Sequence, residues 1–348
     1  MSNPVSGKRI ILGVTGSIAV YKAADLASKL TQMGAEVDVV LTPSALEFVS
    51  PLTFQSVTGR RAYVEQDLWG QEGHVQHIAL GKEGDILVIA PITANTMAKL
   101  ANGLADNLLS VTALAATCPV LIAPAMDGGM FTHPSTQANL EVLKSRGVHV
   151  VGPASGHLAS GLKAIGRMVE PLELRGHIRR ILGAEGPLKG KKVVVTAGGT
   201  REAFDPVRFI GNHSSGKQGY ALAQAAIDLG AEVTLISGKT ALTPPVGAEV
   251  VEIGSAEEMF KAVDESLADA DALVMAAAVA DYRPETIANE KMKKGKGGLP
   301  LNLTRTTDVL KEVNTSRSKY PKLQTVIGFA AETEDLLANA QRKLEAKG

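Results

Sequence analysis

The chain has 348 residues, 36 basic and 36 acidic side chains, 45% hydrophobic residues and a single cysteine. Its zero formal net charge argues against a protein that binds nucleic acid or anionic lipid through bulk electrostatics. One cysteine, Cys118, excludes an internal disulfide and a cysteine-based zinc site, and no apolar run approaches the roughly 20 residues that cross a bilayer. We therefore predict a cytoplasmic protein with no membrane partner and, at about 150 residues per domain, two domains.

The first half of the chain alternates short apolar runs with helical patterns. The runs are typical of strands buried on both faces of a parallel sheet, and they cover residues 10–14, 37–41, 86–90, 120–123 and 148–151. Helical patterns over residues 19–33 and 134–146 each stop at a glycine, as a C-terminal cap requires. This order predicts an α/β domain with a doubly wound parallel sheet.

A boundary is predicted between residues 182 and 192, where Gly, Pro and charge replace any periodic apolar face, giving domains of residues 1–186 and 187–348. After it the α/β pattern restarts. Strands are predicted over residues 193–195, 233–236, 272–275 and 326–329, and helices over 217–229 and 256–268. A last helical pattern over residues 334–347 runs to the chain end with no strand after it, so we expect the sequence to stop short of the natural terminus.

A glycine loop, residues 13–19, joins the first predicted strand to the first predicted helix. The N–H groups of a helix N-terminus and the hydroxyls of Thr15 and Ser17 suit a phosphate. The loop is not GxGxxG, and the second strand ends at Leu41-Thr42-Pro43-Ser44 instead of an acidic residue, which favours a mononucleotide over a dinucleotide. The alternative is a glycine that serves only a tight turn.

Four segments in this half resemble, in order, the flavin-dependent cysteine decarboxylases of coenzyme A biosynthesis: GVTGSIA, TPSALEF, residues 77–109 and PAMDGGMFTHPSTQANLEVL. The resemblance covers roughly residues 7–180 and implies a flavodoxin-like, Rossmann-like flavoprotein domain that holds FMN. It implies oxidation of the thiol of a C-terminal cysteine, loss of CO2 from the resulting thioaldehyde and return of the hydride. It places around the flavin Gly16, Ser17, Ser44, Thr93, Asn95, Ser110 and Thr112. His77 matches the catalytic histidine, which accepts or orients the thiol proton; without the motif it would be a capping or surface residue.

Two positions depart from that family. The family's Asn that contacts the substrate carboxylate is Asp127 here, and an ionised Asp would repel a carboxylate unless burial keeps it protonated. The family's proton-donating Cys is Ser160 here, and a hydroxyl is a far weaker acid than a thiol with a pKa near 8.5. We predict an active or slowed decarboxylase, and the alternative is a flavin-binding domain with altered or lost chemistry. Cys118 is predicted to be a small core residue.

A second glycine loop, residues 195–202, is followed by a segment dense in hydroxyls and glycines that ends at Ser215-Gly216-Lys217 before a helix. This composition predicts an anion cradle, and Arg208 can fork onto a phosphate or carboxylate. The order GxxxxGK[ST] of a Walker loop is absent. The alternative is a simple helix cap.

Together with MAAAVADY, KMKK, TTDVL and GFAAET further along, this loop resembles phosphopantothenate–cysteine ligase, so the whole chain resembles the bifunctional bacterial enzyme with a C-terminal Rossmann-like ligase domain. The resemblance implies that CTP activates 4′-phosphopantothenate as an acyl-cytidylate and that the cysteine amine then displaces CMP, yielding 4′-phosphopantothenoylcysteine. Mg²⁺ and lysines would neutralise the phosphates. Asn212 is implied to touch the acyl-cytidylate, and the implied nucleotide contacts are Met275, Ala276, Ala277, Asp281, Lys291, Thr306, Thr307, Asp308, Val309, Phe329, Lys343 and Lys347. A solvated helix face is the alternative for the last two lysines.

The resemblance also implies homo-oligomers, trimeric through the flavin domains with the flavin near a subunit boundary, and dimeric through the ligase domains. The family continues past residue 348 with a further strand, so we expect a truncated ligase core. Two rival functions stay open at this stage: a ligase with an impaired flavin domain, and a non-catalytic flavin-binding partner subunit.

Overall fold

The computed structural model describes residues 3–69, 73–293, 299–330, 335, 341–342 and 344–345. Two compact units divide the chain, residues 3–182 and the residues from 183 onward. Each contains a parallel sheet with helices, which confirms the predicted fold class. Among the described residues, no helix is both long and apolar enough to span a bilayer.

The first unit carries a six-stranded parallel sheet and one antiparallel hairpin. Its strands are β1 (Arg9–Val14), β2 (Glu36–Leu41), β3 (Ala62–Tyr63), β4 (Ile86–Ile92), β5 (Val120–Pro124), β6 (His149–Val150), β7 (Ala154–His157) and β8 (Lys163–Arg167). The sheet order is β3-β2-β1-β4-β5-β6, and β7 pairs with β8 in the hairpin. Its helices are α1 (Val20–Gln32), α2 (Pro51–Thr58), α3 (Gly73–Glu83), α4 (Ala94–Asn102), α5 (Leu108–Ala115), α6 (Gly128–Thr132), α7 (Pro134–Ser145) and α8 (Pro171–Gly183).

Strand β1 shows why the predicted strands read as unbroken apolar runs. Ile10 and Leu12 pack into the apolar cluster on one face of the sheet, whereas Ile11 packs into the cluster on the other face. A strand covered by helices on both sides has no solvent face, so polar residues do not alternate along it. Gly34 and Gly147 follow the C-terminal ends of α1 and α7, and their φ angles of 88° and 81° are the left-handed conformation expected of glycine caps.

The second unit is built on a five-stranded parallel sheet and two short antiparallel hairpins. Its strands are β9 (Lys192–Ala197), β10 (Arg201–Ala203), β11 (Phe209–Gly211), β12 (Glu232–Ser237), β13 (Ala248–Glu252), β14 (Ala272–Met275), β15 (Tyr282–Pro284), β16 (Leu303–Arg305) and β17 (Thr325–Gly328). The sheet order is β13-β12-β9-β14-β17, with hairpins β10-β11 and β15-β16. Its helices are α9 (Lys217–Asp228), α10 (Ala256–Ser266) and α11 (Val309–Thr315). Most of the helix predicted over 334–347 lies outside the described residues.

Candidate functional site

In the first unit, the loops that follow β1 and β2 meet at Gly16 and Ser44. A Cβ added to Gly16 would lie 2.6 Å from the Ser44 Cβ and 2.9 Å from the Ser44 carbonyl oxygen. Only glycine therefore fits at position 16 without moving the second loop. This contact brings two of the predicted cofactor-binding residues together at the carboxyl edge of the sheet, and Ser17 lies beside them.

Thr15 does not serve as the phosphate donor that the sequence predicts. It is 1% exposed, and its Oγ1 donates to the Pro91 carbonyl oxygen at 2.8 Å while accepting from the Thr93 backbone N–H at 3.1 Å. The hydroxyl proton is thus used inside the protein, and that prediction is wrong. Thr15 instead joins the loop after β1 to the loop after β4, which positions Thr93 at the start of α4.

The predicted residues on α4 and α5 have different local roles. Thr93 caps α4, its Oγ1 accepting from the Thr96 N–H at 3.4 Å, and Asn95 is exposed in the first turn of that helix. Ser110 is 1% exposed and forms a capping box with Asn107: the Asn107 N–H donates to Ser110 Oγ at 3.1 Å, and the Ser110 N–H donates to Asn107 Oδ1 at 3.0 Å. The Ser110 hydroxyl is therefore committed to shaping the start of α5.

Two unpartnered polar atoms lie on the packed helices α3 and α5. Within the part of the chain that the structure describes, His77 Nδ1 and Thr112 Oγ1 are the buried side-chain nitrogen or oxygen atoms that lack a hydrogen-bond partner. Thr112 is fully buried. Because a buried polar atom without a partner is costly, this pair indicates a place where a bound group completes the hydrogen bonding.

An open cleft of about 540 Å³ lies at the carboxyl edge of the first sheet. The loop after β1, the loop after β5 and the β7–β8 hairpin form its walls, and His77 is not among its lining residues. The lining residues that carry polar side chains are Ser17, Tyr21, Lys22, Thr93, Asp127, His157, Ser160 and Arg167.

The two positions that depart from the family pattern are hydrogen-bonded to each other in this cleft. Ser160 Oγ donates to Asp127 Oδ2 at 2.7 Å, and the Gly129 N–H donates to Asp127 Oδ1 at 3.0 Å. Strand β8 lies tightly on the Asp127 loop, because a Cβ on Gly166 would lie 2.2 Å from the Met126 carbonyl oxygen. That close contact seats the hairpin that carries Ser160 against the loop.

The surroundings of Asp127 favour its charged form. Its hydrogen bonds from the Ser160 hydroxyl and the Gly129 N–H favour the charged carboxylate and hold the pKa of Asp127 below its ordinary value. Asp127 is only partly buried, at the N-cap of α6. The structure therefore provides no burial that would favour the protonated form, which is the condition under which an aspartate at this position would bind a carboxylate.

The second unit has a dense glycine contact at the carboxyl ends of β9 and β12. A Cβ on Gly198 would lie 2.9 Å from the Gly238 carbonyl oxygen, and one on Gly216 would lie 2.7 Å from Thr240 Cγ2. Gly198 and Gly216 also have positive φ angles of 75° and 76°. Three loops therefore approach one another at the N-terminus of α9, as the predicted anion cradle requires.

Asn212 lies beside the loop that follows β14. Its Nδ2 donates to the Val279 carbonyl oxygen at 3.1 Å, and the Ala278 N–H donates to the Gly198 carbonyl oxygen at 2.8 Å. The Thr306 hydroxyl donates to the Ala280 carbonyl oxygen, and the Thr306 N–H donates to the Asp281 carbonyl oxygen at 3.0 Å. The structure thus brings Asn212, residues 278–281 and Thr306 together.

The other predicted nucleotide contacts lie in different environments, some buried and some exposed. Asp308 caps α11, accepting from the Lys311 N–H at 3.2 Å, and Val309 is 3% exposed in the apolar core, so its side chain faces away from solvent. Met275 is buried, Ala276 and Ala277 are half-buried, and Lys291, Thr307 and Phe329 are exposed. Lys343 and Lys347 lie outside the described residues.

Arg208 is occupied by an internal partner. Its Nε donates to Asp205 Oδ2 at 2.9 Å, and its Nη2 donates to the same oxygen and to the Met292 carbonyl oxygen, the latter at 2.9 Å. The sequence predicts that this guanidinium can fork onto a ligand phosphate or carboxylate, but in the structure its donors bond to Asp205 and to the Met292 carbonyl. Arg208 instead ties the segment after β10 to the segment around Met292.

A second cleft, of about 480 Å³, lies at the carboxyl ends of β12 and β13 and was not predicted. Thr240 Oγ1 donates to the Tyr220 hydroxyl at 3.2 Å, and Tyr220 OH and Ser237 Oγ are 3.2 Å apart. Arg201 and Lys239 also line it, and none of the predicted site residues does. Lys239 and the hydroxyl residue Thr240, which follow the buried strand β12, are the sequence signal that could have predicted this cleft.

No metal centre is formed by the described residues, since they contain no cluster of three or more His, Cys, Asp or Glu side chains placed to bind an ion. Cys118 is half-buried against the apolar core, and burial raises the pKa of its thiol. This placement fits the predicted small core residue and is unfavourable for a thiolate nucleophile.

Comparison with protein families divides the chain in the same order. Residues 1–182 match the family described as flavoprotein, and residues 188–348 match the family described as DNA/pantothenate metabolism flavoprotein C-terminal domain.

Curated relatives match nearly the whole chain. The coenzyme A biosynthesis bifunctional protein CoaBC of Bacillus subtilis is 46% identical over 346 residues, covering 99% of this chain and 84% of the relative. The CoaBC protein of Mycobacterium tuberculosis is 45% identical over 353 residues, covering 98% of this chain and 84% of the relative.

Solved structures match each half separately. The C-terminal domain of a CoaBC protein is 43% identical with a TM-score of 0.41, covering 47% of this chain and 75% of that one. A PPC decarboxylase variant complexed with pantothenoylaminoethenethiol is 34% identical with a TM-score of 0.46, covering 49% of this chain and 96% of that one.

Proposed function

The chain belongs to the family of bifunctional coenzyme A biosynthesis proteins and catalyses two steps of that pathway, a ligation and a decarboxylation; from this premise we propose how its residues divide the work. The first unit decarboxylates 4′-phosphopantothenoylcysteine with FMN, and the second joins cysteine to 4′-phosphopantothenate with CTP. The observation that carries the division is that Asp127 and Ser160 lie together in the cleft of the first unit, whereas Asn212 lies beside the loop after β14 in the second unit.

We place FMN in the first unit, between the loop at Gly16 and the helices α3 and α5. The glycine-only contact at Gly16 and the unpartnered Thr112 hydroxyl support this placement. FMN supplies an electron acceptor for the substrate thiol when it is bound. Gly16, Ser17, Ser44, Thr93 and Asn95 would hold the phosphate and ribityl side, and Thr112 would face the ring.

For the decarboxylation, His77 is the residue we assign to the substrate thiol. A ring nitrogen of an imidazole can accept a proton, and the Nδ1 of His77 has no protein partner among the described residues. Asp127 and Ser160 face the other end of the substrate, in the cleft. They replace the amide and the thiol that the family resemblance leads one to expect, so this end of the site is where the chain's chemistry differs.

For the ligation, the carboxylate of 4′-phosphopantothenate attacks the α-phosphorus of CTP and releases pyrophosphate, after which the cysteine amine attacks the acyl carbon and CMP leaves. The glycine cradle at the start of α9 would receive phosphates through backbone N–H groups. Asn212, oriented by its bond to the Val279 carbonyl, would contact the acyl-cytidylate. The residue set from Met275 to Asp281 and from Thr306 to Val309 would border the nucleotide, with Phe329 and Lys291 near it.

Mg²⁺ would be held mainly by the phosphates of CTP. The described residues offer no acidic cluster for it, and Mg²⁺ commonly binds through one or two carboxylates together with substrate phosphates. The protein's own contribution is then to position the triphosphate.

A homo-oligomer, trimeric through the flavin domains and dimeric through the ligase domains, and a cytoplasmic location complete the proposal. Trimer formation is supported by Trp69, which is 84% exposed, and Leu114 on α5, which is 67% exposed. It is also supported by the position of His77 outside the lining of the Asp127 cleft, since a neighbouring copy could then complete the site. Analytical ultracentrifugation of the full chain tests the assembly.

The test of the function follows carboxyl-labelled cysteine supplied with 4′-phosphopantothenate and CTP. Ligation transfers the label into 4′-phosphopantothenoylcysteine, and decarboxylation then releases it as CO2. We expect both, with CO2 release dependent on bound flavin. Label that stops in the amide product would overturn the decarboxylase assignment, and release of CO2 only from added 4′-phosphopantothenoylcysteine would overturn the ligase assignment.

A further inference from the structure

The Asp127–Ser160 pair presents only hydrogen-bond acceptors to the cleft. The Ser160 hydroxyl donates a hydrogen bond to Asp127 Oδ2 at 2.7 Å, and the Gly129 N–H donates one to Asp127 Oδ1 at 3.0 Å. What the two side chains turn toward a ligand is therefore lone pairs and one negative charge. A ligand carboxylate is also an acceptor-only anion, so the two groups repel unless a proton lies between them.

We propose that a carboxylate substrate enters this cleft together with one proton, which it shares with the Asp127 carboxylate while Ser160 holds that carboxylate in place. The inference rests on the proposed decarboxylase function. Two carboxylates at close range behave as a single site that retains one proton, because both cannot remain ionised there. Asp127 is then a proton carrier, and Ser160 is a positioning residue.

The proton that is taken up on binding can be used in the reaction, because decarboxylation consumes one. Decarboxylation breaks the bond between the α-carbon and the carboxylate, releases CO2 and leaves the electron pair with the carbon chain, where a proton must finally bind. Each turnover therefore consumes one proton. Once CO2 has left, the shared proton remains on Asp127 as a carboxylic acid, which is a stronger acid than the Ser160 hydroxyl or the thiol that the family pattern would place there.

Other titratable groups line the cleft or lie on the elements next to this pair, and their contributions have to be separated from it. Helix α1 contributes two of them, the hairpin contributes three, and the junction of α6 and α7 contributes one: Tyr21, Lys22, His157, Lys163, Arg167 and His133. Lys22 and Arg167 both hydrogen-bond to Glu170. His157, which lines the same cleft, is the competing group, because an imidazole nitrogen can accept a proton.

The experiment compares two ligands that cannot be turned over because they have no thiol: 4′-phosphopantothenoylserine, and the matching ethanolamine amide, which lacks only the carboxylate. Binding to the flavin-loaded full chain is measured calorimetrically near neutral pH in buffers of different ionisation enthalpy, which gives the number of protons taken up. We expect uptake of about one proton with the serine amide and none with the ethanolamine amide.

Three variants identify the group that binds this proton. Asp127→Asn should abolish the uptake and bind the serine amide at least as tightly, and His157→Gln should leave the uptake unchanged. Ser160→Ala should move the uptake to higher pH, because the charged carboxylate loses a hydrogen bond; a merely structural role for Ser160 would not shift this titration. Flavin content and thermal unfolding show that each variant is folded.

Binding of the serine amide without proton uptake, or uptake that persists in Asp127→Asn, would overturn the inference while leaving the decarboxylase assignment intact. Failure of both amides to bind would overturn the proposed function, and the inference would fall with it.

Discussion

Gly81 on α3 lies directly against Ala115 on α5, so that a Cβ on Gly81 would be 2.9 Å from both the carbonyl carbon and the Cβ of Ala115. The Gly81 carbonyl oxygen also accepts from the Thr117 N–H at 3.2 Å. This contact sets the separation of the two helices that carry the unpartnered atoms of His77 and Thr112. A glycine without any chemical role therefore controls the geometry of a candidate flavin site.

We predict that Gly81→Ala destabilises the first unit and weakens flavin binding. Alanine normally stabilises a helix interior relative to glycine by roughly 0.5–1 kcal/mol, but here it meets backbone and overpacks the interface, at a typical cost of about 1–3 kcal/mol. Urea unfolding and flavin content after purification measure the two effects. Gly129→Ala on α6 is the control, because its new Cβ would meet only Asp127 Oδ1, at 3.6 Å. Equal behaviour of the two variants would contradict the prediction.

A second prediction concerns Asp205, whose carboxylate receives Arg208 and the N–H groups of Val207 and Met292. These donors hold the pKa of Asp205 far below its ordinary value. A lowered folded-state pKa contributes stability that is fully present above the unfolded pKa of about 3.9 and is lost as the pH falls below it. Asp205→Asn should therefore destabilise the second unit at neutral pH, and its difference from the wild type should narrow in acid.

Denaturant unfolding at neutral pH and below pH 4 checks this sign. Asp269→Asn is the matched control: Asp269 also pairs with cations, Lys192 and Lys322, but on the surface, where such pairs contribute little. A difference between Asp205→Asn and the wild type that stays constant or grows toward acid would refute the prediction.

The parts of the fold that the sequence predicts are those in which burial leaves a local trace. Residues 10–14 read as a strand because helices cover both faces of β1, and α1 ends where Gly34 takes a left-handed conformation. The β7–β8 hairpin was not predicted, because its residues are largely exposed and its position is set by contact with the Asp127 loop. A local sequence pattern does not reveal a contact between segments that are distant in sequence.

The roles of the site residues could not be predicted in full for the same reason: their partners are distant in sequence. The hydroxyl of Thr15 is of the right chemical type for a phosphate, but the Pro91 carbonyl, 76 residues away in sequence, already takes its proton. Asp127 and Ser160 could each be noticed as unusual, yet the hydrogen bond that makes them one unit spans 33 residues. Residue type predicts what a side chain can do, and the fold decides which partner it has.

A third prediction separates the two activities. In Asn212→Asp the side chain loses the N–H donor that bonds to the Val279 carbonyl, and a carboxylate would face that carbonyl oxygen instead. We expect ligation to fall by at least tenfold, while CO2 release from added 4′-phosphopantothenoylcysteine stays unchanged, because the residues of that reaction lie in the other unit. His213→Gln, an exposed neighbour, should leave both rates near wild type. A parallel loss of both activities would contradict the assignment of Asn212.

The last prediction concerns Lys22, a buried cation that joins α1 to the chain just after β8. It is 3% exposed, and its Nζ donates to the Met168 carbonyl oxygen at 2.7 Å and to Glu170 Oε1 at 2.9 Å. Lys22→Met keeps the apolar stem but leaves the Met168 carbonyl buried without this donor, which costs about 1–3 kcal/mol. The Glu170 side chain is 58% exposed and also binds Arg167, so it can regain water and does not become a stranded charge.

Because Met168 and Lys22 both line the cleft, the loss should also reduce flavin retention or decarboxylation, and not stability alone. Lys29→Met is the matched control on the same helix: its partner Asp25 is one turn away on the surface, where an ion pair contributes about 0.3–0.5 kcal/mol. Denaturant unfolding together with CO2 release compares the two. The Lys22 substitution should have the larger effect, because this lysine donates to a buried carbonyl. Equal effects of the two substitutions would show that Lys22 contributes only as surface charge.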